Sequence, residues 1–252
     1  MKPVVSIITV CYNSEATIES TIQSVLSQDY PAIEYVVVDG KSKDKTLEIT
    51  SKYASRIAKQ ISEADKGIYD AMTKGVGLVT GDIVGILNSD DVFASNSIIS
   101  EVADVFINDP SIDAVYGNIV YFKTEAPDKP VRTWITKPYY DKFFDDGEVA
   151  PHPSLFVKKS VYDTIGAYYP DFKISSDYEF MFRAFKVHHY KPYHLNKFVV
   201  NMRVGGESTK SFKNVLIGNK EVRIAWEMNG KRPNLRFWLL RITKKVLQLF
   251  KR

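Results

Sequence analysis

IVGILNSDD, residues 83–91, is a short apolar run followed by two polar residues and two adjacent acids, and this stretch decides the fold. A run that is apolar on both faces predicts a buried strand of a parallel sheet, since a half-exposed strand would alternate apolar and polar residues. Adjacent carboxylates are costly to bury unless a cation neutralises them, and Mg²⁺ and Mn²⁺ prefer oxygen ligands. Asp90 and Asp91 therefore predict a site for a divalent metal ion. The alternative is that Asp91 only caps a helix that begins at Val92.

Apolar runs alternate with amphipathic runs through the rest of this half of the chain. The pattern predicts strands over residues 4–10, 35–38, 56–61 and 83–87, and helices over residues 16–26, 44–53 and 67–79 between them. Such alternation is typical of an α/β fold with a mostly parallel, Rossmann-like sheet and helices on both faces.

Polar residues follow every one of these predicted strands. Because ligands bind outside the carboxyl ends of parallel strands, we expect the polar side chains to surround one crevice. Ordinary turn chemistry at four separate strand ends is the alternative. The residues concerned are Cys11, Tyr12 and Asn13 after the first strand, Asp39 after the second, Glu63 and Asp65 after the third, and Asn88, Asp90 and Asp91 after the fourth.

The pattern changes after a helix predicted over residues 95–108. Residues 114–123 and 131–135 are typical of antiparallel strands, helices are predicted over 160–165 and 177–185, and a further strand over 197–202. A glycine-containing loop follows at 204–208, with Lys210 just beyond it. This loop is interpreted either as a lid that closes over a ligand or as an inert surface loop.

Composition narrows the class of protein. At 252 residues, with 44% hydrophobic and 25% charged residues, the chain is typical of a globular protein with one large α/β domain. Its single cysteine, Cys11, excludes an internal disulfide and favours a cytosolic setting. We find no signal peptide and no apolar run long enough to span a membrane.

Positive charge is concentrated at the carboxyl terminus. The last 22 residues hold eight Lys and Arg and no acid, so the main body is net acidic although the whole chain is +4. An acidic body argues against nucleic-acid binding. Residues 235–250 predict an amphipathic basic helix, which suits an anionic membrane surface. The alternative is that its apolar stripe packs on the main domain or on a second copy in a homodimer.

Several ordered motifs resemble the family 2 nucleotide-sugar glycosyltransferases of the GT-A fold, over about residues 4–210. The matching pieces are Ser6 to Asn13, Ser24 to Gln28, Val38 to Gly40, Ser42, Asp44, Thr46, Ser62 to Met72, Leu87 to Asp91, Ser176 to Glu179, and Arg183. The resemblance implies a GT-A domain over 1–215, with a nucleotide-binding half at about 1–110 and an acceptor half at about 111–215, which contains the small antiparallel region. Residues 216–252 form a helical basic extension.

The same resemblance implies roles for individual residues. Asp39 would accept a hydrogen bond from the nucleotide base, Tyr12 would stack on that base, and Asp65 would contact the donor. Asp91 would bind Mn²⁺ or Mg²⁺ directly, and Asp90 would contact the ribose or sugar. Asp177 would be the catalytic base. Cys11, Asn13 and Asn88 complete the predicted nucleotide-sugar site.

The expected activity is inverting transfer of a sugar, from a nucleotide sugar that is expected to be a UDP-sugar, to a saccharide or lipid-linked acceptor in cell-surface polysaccharide synthesis. The expected location is cytoplasmic, at the inner face of the cell membrane. Nucleotidyl transfer is disfavoured because the glycine-rich activating loop is missing. A catalytically silent nucleotide-sugar binding module is the alternative from another class.

For three residues in the second half of the chain, a purely structural role is the alternative to a functional one. Asp177 follows two serines and would serve equally as part of a helix cap. His152 would contact the donor or acceptor, or be a packed histidine. Arg183 is interpreted as the partner of a nearby acid rather than as a phosphate ligand.

Overall fold

The computed structural model describes residues 2–123, 126–205 and 211–250. Its strands are β1 (Val5–Cys11), β2 (Ile33–Asp39), β3 (Lys59–Ser62), β4 (Ile83–Ile86), β5 (Val92–Phe93), β6 (Ala114–Lys123), β7 (Ala126–Trp134), β8 (Phe156–Lys158) and β9 (Pro192–Arg203). Its helices are α1 (Ile18–Leu26), α2 (Thr46–Ser51), α3 (Ile68–Leu78), α4 (Ile98–Asn108), α5 (Lys159–Ile165), α6 (Ser176–Met181), which continues as a π-helical segment (Phe182–Val187), α7 (Phe212–Met228) and α8 (Leu235–Phe250).

All nine strands within the described residues belong to one mixed sheet, in the order β3-β2-β1-β4-β8-β6-β9-β5, with β7 paired to β6. The first four of these are parallel, in register from Val5 beside Ile33 to Cys11 beside Asp39. The antiparallel strand β8 then joins β4 to β6, and β9 runs parallel to β6. The predicted α/β architecture is therefore confirmed, including its smaller antiparallel region.

Alternate side chains of the central strands enter two apolar clusters on opposite faces of the sheet. Ile8 and Val10 lie in one cluster with α3, α5, α6, α7 and α8, whereas Val5 and Ile7 lie in the other with α1 and α4. This arrangement is what continuous apolar strands require, because both of their faces must be covered. The expectation of helices on both faces is confirmed.

Some boundaries differ from the predicted ones. Val92 and Phe93 pair with β9 instead of beginning a helix, so the helix-cap alternative for Asp91 is wrong. The short strand β8 has no predicted counterpart, β9 begins five residues earlier than predicted, and β7 begins at Ala126. Strands of two or three residues are too short to show periodicity, so only their partners reveal them.

The carboxyl-terminal helices pack on the main body. Phe237 of α8 is 1% exposed and its ring lies 5.3 Å from the ring of Trp226 in α7. On the opposite side of α8, Leu235 and Leu239 are 75% and 58% exposed. The helix therefore packs on the body mainly through the side that carries Phe237, which lies off the predicted apolar stripe. Of that stripe, Trp238 packs against the core, whereas Leu235 and Leu239 point away from the body. Within the described residues, no helix has both the length and the apolar character needed to cross a bilayer.

Candidate functional site

Strands β1, β2 and β4 deliver their carboxyl ends to the same edge of the sheet. Cys11 is in register with Asp39, and the amide of Leu87 donates to Ile8 O at 2.9 Å. Beyond the strands, the hydroxyls of Ser14 and Ser89 lie 2.8 Å apart. The loops after β1, β2 and β4 therefore form one continuous polar rim, as the strand ends predicted.

Asp39 anchors this rim. Its buried carboxylate accepts hydrogen bonds from the Ser62 hydroxyl at 2.6 Å and from the amide of Ser42 at 3.0 Å, and it also accepts from the Ser42 hydroxyl. The Cys11 thiol lies 3.7 Å from the same carboxylate. Burial and the charge of Asp39 raise the pKa of Cys11, so the thiol stays protonated. A ligand that bonds Asp39 has to displace one of these donors, and the Ser42 and Ser62 hydroxyls can rotate away, whereas the Ser42 amide is fixed by the backbone.

Tyr12 and Asp65 flank Gly40 at the mouth of the same loop. A Cβ atom at Gly40 would collide with the Asp65 carboxylate and would lie 3.4 Å from the Tyr12 ring, so a side chain here would displace the Asp65 carboxylate. Tyr12 itself is 58% exposed. An exposed ring beside a buried carboxylate is suited to a planar base, which would stack on the ring and hydrogen-bond the acid. The backbone amide of Asn13 donates to the Ser42 hydroxyl at 2.8 Å, which joins the loops after β1 and β2.

Asp91 is fully buried at the end of β4. Its carboxylate accepts from Asn88 Nδ2 and from the amide of Arg203, both at 3.2 Å. Burial and the adjacent charge of Asp90 raise the pKa of Asp91 well above its ordinary value. Burial also raises the pKa of Asp90, whereas the Arg203 guanidinium lowers it. The charge of Arg203 therefore compensates this pair only in part.

These residues fit a divalent cation. Asn88 Oδ1 is a buried acceptor without a hydrogen-bond partner among the described residues, and it lies next to Asp91, whose charged form burial disfavours. Hard cations take such oxygen ligands. However, the described part of the chain holds no group of three or more His, Cys, Asp or Glu that could bind a metal ion. A cation at Asp91 would consequently need most of its ligands from a bound diphosphate and water, as Mg²⁺ commonly does.

Asp177 lies in the first turn of α6 and meets the rim through α3. The hydroxyl of Tyr69, in the first turn of α3, lies 3.0 Å from Asp177 Oδ1 and 2.7 Å from Ile174 O. Because α3 starts just after β3 and Asp65, this contact brings Asp177 to the same edge as Asp39 and Asp91. Burial, with a smaller effect from the charge of Asp177, raises the pKa of Tyr69, so the hydroxyl remains a donor.

The capping interpretation of Asp177 has little support. The cap residue Ser175 makes no side-chain cap hydrogen bond, and the Asp177 carboxylate turns to Tyr69. The segment before α6 is held from α7 instead, where Glu221 accepts from the amides of Lys173, Ile174 and Ser175 at 2.7 to 2.9 Å. Tyr69 and Glu221 were not predicted, because no local pattern connects either of them with residues so distant in sequence.

His152 lies close to Asp177. It is 8% exposed, its ring lies 5.7 Å from that of Tyr168, and no described residue forms a hydrogen bond with its Nε2 atom. Burial lowers the pKa of His152, and the charge of Asp177 opposes that effect only in part. The imidazole is therefore neutral at neutral pH, with an unpaired ring nitrogen in the neighbourhood of the acid.

Arg183 pairs with an acid, as predicted. Arg183 forms a buried ion pair with Glu179 at 3.0 Å and donates to the carbonyls of Ile165, Gly166 and Ala167, so the prediction that it pairs with an acid is confirmed. Of the glycine-containing loop, residues 206–210 lie outside the described residues. Arg203, just before that loop, places its charge beside Asp90 and Asp91, and its buried Nε has no partner within residues 2–123, 126–205 and 211–250.

Residues 6–165 match the sequence model described as glycosyl transferase family 2, which is well over half of the chain. The chain belongs to glycosyl transferase family 2. Among family 2 relatives, the uncharacterized glycosyltransferase Rv1514c of Mycobacterium tuberculosis is 31% identical over 184 residues, which is 72% of this chain and 69% of that protein. The Escherichia coli UDP-Glc:alpha-D-GlcNAc-diphosphoundecaprenol beta-1,3-glucosyltransferase WfgD is 34% identical over 115 residues, or 45% of each chain.

Solved structures show the same GT-A fold. Residues 1–349 of S. aureus TarS, in complex with UDP-GlcNAc, superpose with a TM-score of 0.68 at 18% identity; the match covers 88% of this chain and 66% of that one. The mannosyltransferase PcManGT from Pyrobaculum calidifontis, in complex with GDP-Man and Mn²⁺, gives 0.62 at 17% identity, covering 100% of this chain and 82% of that one. This chain spans about two thirds of the TarS fragment. Because both identities are low, the two matches establish the fold of this chain and nothing finer.

Proposed function

We propose that this protein transfers a sugar from a UDP-sugar to a saccharide or lipid-linked acceptor, with inversion, in the assembly of a cell-surface polysaccharide or glycolipid. The observation that carries the proposal is the convergence of Asp39, Asp91 and Asp177 at one edge of the sheet, although they come from distant parts of the chain. Each acid has a different environment, which suits three different tasks.

The donor would lie along the rim from Tyr12 to Asp91. Its base would stack on Tyr12 and donate to Asp39, after the Ser42 hydroxyl moves away. Asp65, Cys11 and Asn13 would shape the wall around the base, whereas Asp90 would contact the ribose or sugar. The TarS complex with UDP-GlcNAc supports a uridine donor in this fold.

Asp91, assisted by Asn88, would hold Mn²⁺ or Mg²⁺ against the diphosphate of the donor. The Mn²⁺ bound in PcManGT supports a divalent ion in this fold. The bound ion would supply electrostatic stabilisation of the leaving group, on which negative charge develops as the glycosidic bond breaks. Arg203 would add a second positive charge on the same side.

Asp177 would act as the base. The attacking acceptor oxygen forms a bond to the anomeric carbon while the bond from that carbon to the diphosphate oxygen breaks. The hydroxyl proton passes to the Asp177 carboxylate, and the nucleoside diphosphate leaves with the bonding electron pair. Attack opposite the leaving group inverts the anomeric centre. Tyr69 holds one carboxylate oxygen, and the other makes no hydrogen bond among the described residues.

A lipid-linked acceptor is supported by the exposed side of α8 and by the charge of the carboxyl terminus. Leu235 and Leu239 present apolar surface, and the last 22 residues carry eight positive charges. Such a helix binds anionic membranes peripherally. WfgD, whose acceptor is a diphosphoundecaprenol-linked sugar, supports this class of substrate. We therefore propose a location at the cytoplasmic face of the membrane.

Two substitutions separate binding from turnover. Asp91→Ala should abolish the Mn²⁺-dependent thermal shift with UDP-sugars, because it removes the ligand that links the metal ion to the protein. Asp177→Asn should keep that shift and lower kcat by about 10²- to 10⁴-fold, because it removes the proton acceptor. Asp171→Asn, an exposed acid in the same region, is the matched control and should change neither.

UDP release and melting temperature are the two readouts, over a panel of UDP-sugars and saccharide acceptors. Equal loss of donor binding in both variants would contradict the division of roles. Donor binding without turnover, unchanged by Asp177→Asn, would favour the silent binding module over the enzyme.

A further inference from the structure

Arg241 of α8 is a buried cation that forms no ion pair among the described residues, and Asp177 is the acid whose charge acts on it. It is 9% exposed, and its guanidinium carbon lies 5.3 Å from the ring centre of Tyr178 and 6.0 Å from that of Phe237. Within the part of the chain that the structure describes, its Nε atom has no hydrogen-bond partner. Both rings lie on the inner side of α8, so the arginine belongs to the wall of the main body.

A buried charge of this kind requires an explanation. Removing a guanidinium from water is expensive, and buried cations in proteins are normally paired. Contacts with two aromatic faces recover only part of that cost. On the same helix, Arg236 shows the ordinary arrangement: it is exposed and pairs with Asp146 at 3.1 Å. Arg241 is therefore incomplete in the free protein and is suited to an anion that arrives with a ligand.

The position of Arg241 indicates which ligand this is. Tyr178, beneath its guanidinium, is the residue next to Asp177, and the charge of Asp177 opposes the effect of burial, which lowers the pKa of Arg241, so Arg241 lies on the acceptor side of the site. The backbone of α8 is fixed there because Arg241 N lies 3.0 Å from where a Cβ of Gly147 would be, and Gly147 has a φ of +71° that favours glycine. The donor diphosphate, in contrast, is proposed to lie at Asp91, on a different loop.

The opposite side of the same helix carries the exposed Leu235 and Leu239. A helix is about 10 Å across. The guanidinium of Arg241 on one side of α8 therefore lies within about 10 Å of a membrane that contacts the other side. A membrane-bound lipid could thus place its phosphates at Arg241 while its hydrocarbon chain stays in the bilayer. A soluble saccharide acceptor would leave the arginine unpaired.

We propose that Arg241 forms an anion subsite that binds the diphosphate of a lipid-linked acceptor and thereby presents the acceptor sugar to Asp177. This proposal rests on the proposed function, since it assigns the acceptor class for the same reaction. Guanidinium is well matched to phosphate because its fork of N–H donors bonds two oxygens at once.

Farnesyl diphosphate is the probe, titrated into the full-length protein with the donor site already saturated by UDP and Mn²⁺. Inorganic pyrophosphate and farnesol are titrated in parallel, to separate the anion from the lipid. We expect farnesyl diphosphate to bind more tightly than either, and Arg241→Gln to weaken it at least about tenfold, as the loss of a charge-assisted hydrogen bond predicts. Arg241→Lys should give an intermediate affinity. Arg236→Gln is the matched control and should leave the affinity unchanged.

Three results would overturn the subsite: unchanged affinity in Arg241→Gln, equal loss in Arg236→Gln, or equal affinity of farnesyl diphosphate and either single-component probe. If Arg241→Gln does not fold, the comparison of Arg241→Lys with Arg236→Lys carries the same decision. The UDP and Mn²⁺ thermal shift is measured first for each variant. Its absence in the unsubstituted protein would contradict the proposed function, whereas its presence without farnesyl diphosphate binding contradicts only the subsite.

Discussion

Single side chains determine how charge is distributed around Asp177. His152 is neutral because burial lowers its pKa, and Tyr69 stays protonated because burial raises its pKa. Asp177 therefore has neutral groups on this side and forms no ion pair among the described residues; burial lowers the pKa of Arg241 in α8, and the charge of Asp177 opposes that effect. A carboxylate in such surroundings can accept a proton without losing an ion pair.

The burial of His152 predicts a pH dependence of stability. The unfolded chain binds a proton at a pKa of about 6.5, whereas the folded protein binds it only at lower pH. The contribution of neutral His152 is thus complete above about pH 6.5 and is lost as the pH falls, by at most about 1.4 kcal/mol per pH unit. Urea unfolding of the wild type and His152→Asn from pH 7.5 to 5 measures it.

The difference between these two proteins is the informative quantity, because burial also lowers the pKa of His194, which adds its own slope to both. We expect the unfolding free energy of the wild type to fall relative to the variant as the solution is acidified. A constant difference across this range would contradict a depressed pKa for His152.

The sequence identified the acids at strand ends but missed the residues that orient them. Asp39 and Asp91 could be predicted because each follows an apolar run, and the topology of parallel sheets brings such ends together. Tyr69 and Glu221 contact the Asp177 segment across long stretches of chain. Such contacts depend on tertiary packing, for which a single sequence has no periodic signal.

At the scale of elements, α7 is tied closely to the helix that carries Asp177. Besides the three bonds of Glu221, the indole of Trp226 donates to the Tyr178 hydroxyl at 2.9 Å, and Asn229 donates to Glu179 at 3.0 Å. The predicted extension over 216–252 therefore includes residues that hold the Asp177 segment. The amphipathic pattern predicted a helix over 235–250, but it gave no bounds for α7 and could not show what either helix packs against.

Glu221→Gln should disturb the Asp177 segment without touching the donor site. An amide has only one acceptor oxygen, so at least one of the three backbone donors would face an NH₂ group, at a cost of about 1–3 kcal/mol. We expect a lower kcat, an unchanged KM for the donor, and reduced stability. Steady-state UDP release and urea unfolding are the measurements.

Glu227→Gln is the matched control, because Glu227 lies on the same helix and pairs only with Arg223 at the surface, where such pairs contribute little. If both variants behave alike, or if Glu221→Gln raises the donor KM in proportion to its loss of kcat, Glu221 does not position the Asp177 segment.

For the molecule as a whole, α8 packs on the main body with one side and is proposed to contact the membrane with the other. Removing the entire carboxyl terminus is a poor test of membrane binding, because it would also remove Phe237 from the core, at a cost of about 3–5 kcal/mol. The exposed leucines provide a cleaner one, since surface substitutions usually change stability by about 0.5 kcal/mol or less.

Leu235→Glu with Leu239→Glu should release the protein from vesicles of anionic phospholipid while leaving the melting temperature nearly unchanged. The acids remove apolar contact area and repel the lipid headgroups. Co-sedimentation with anionic and zwitterionic vesicles measures binding, and Leu216→Glu, an exposed leucine on α7, is the control. Persistent binding would contradict the role of this surface. Conversion of a dimer to a monomer would instead identify these leucines as an interface between copies.

Because of the aromatic packing between α6, α7 and α8, the fluorescence of Trp226 should report whether α8 is docked on the body. Trp226 lies 4.5 Å from Phe182 and 5.3 Å from Phe237 between ring centres, and it bonds the tyrosine that adjoins Asp177. Its indole would gain water contacts as soon as α8 detaches, and its emission would shift to longer wavelength. Ultraviolet excitation alone would then follow the carboxyl-terminal helix in real time, without any attached dye.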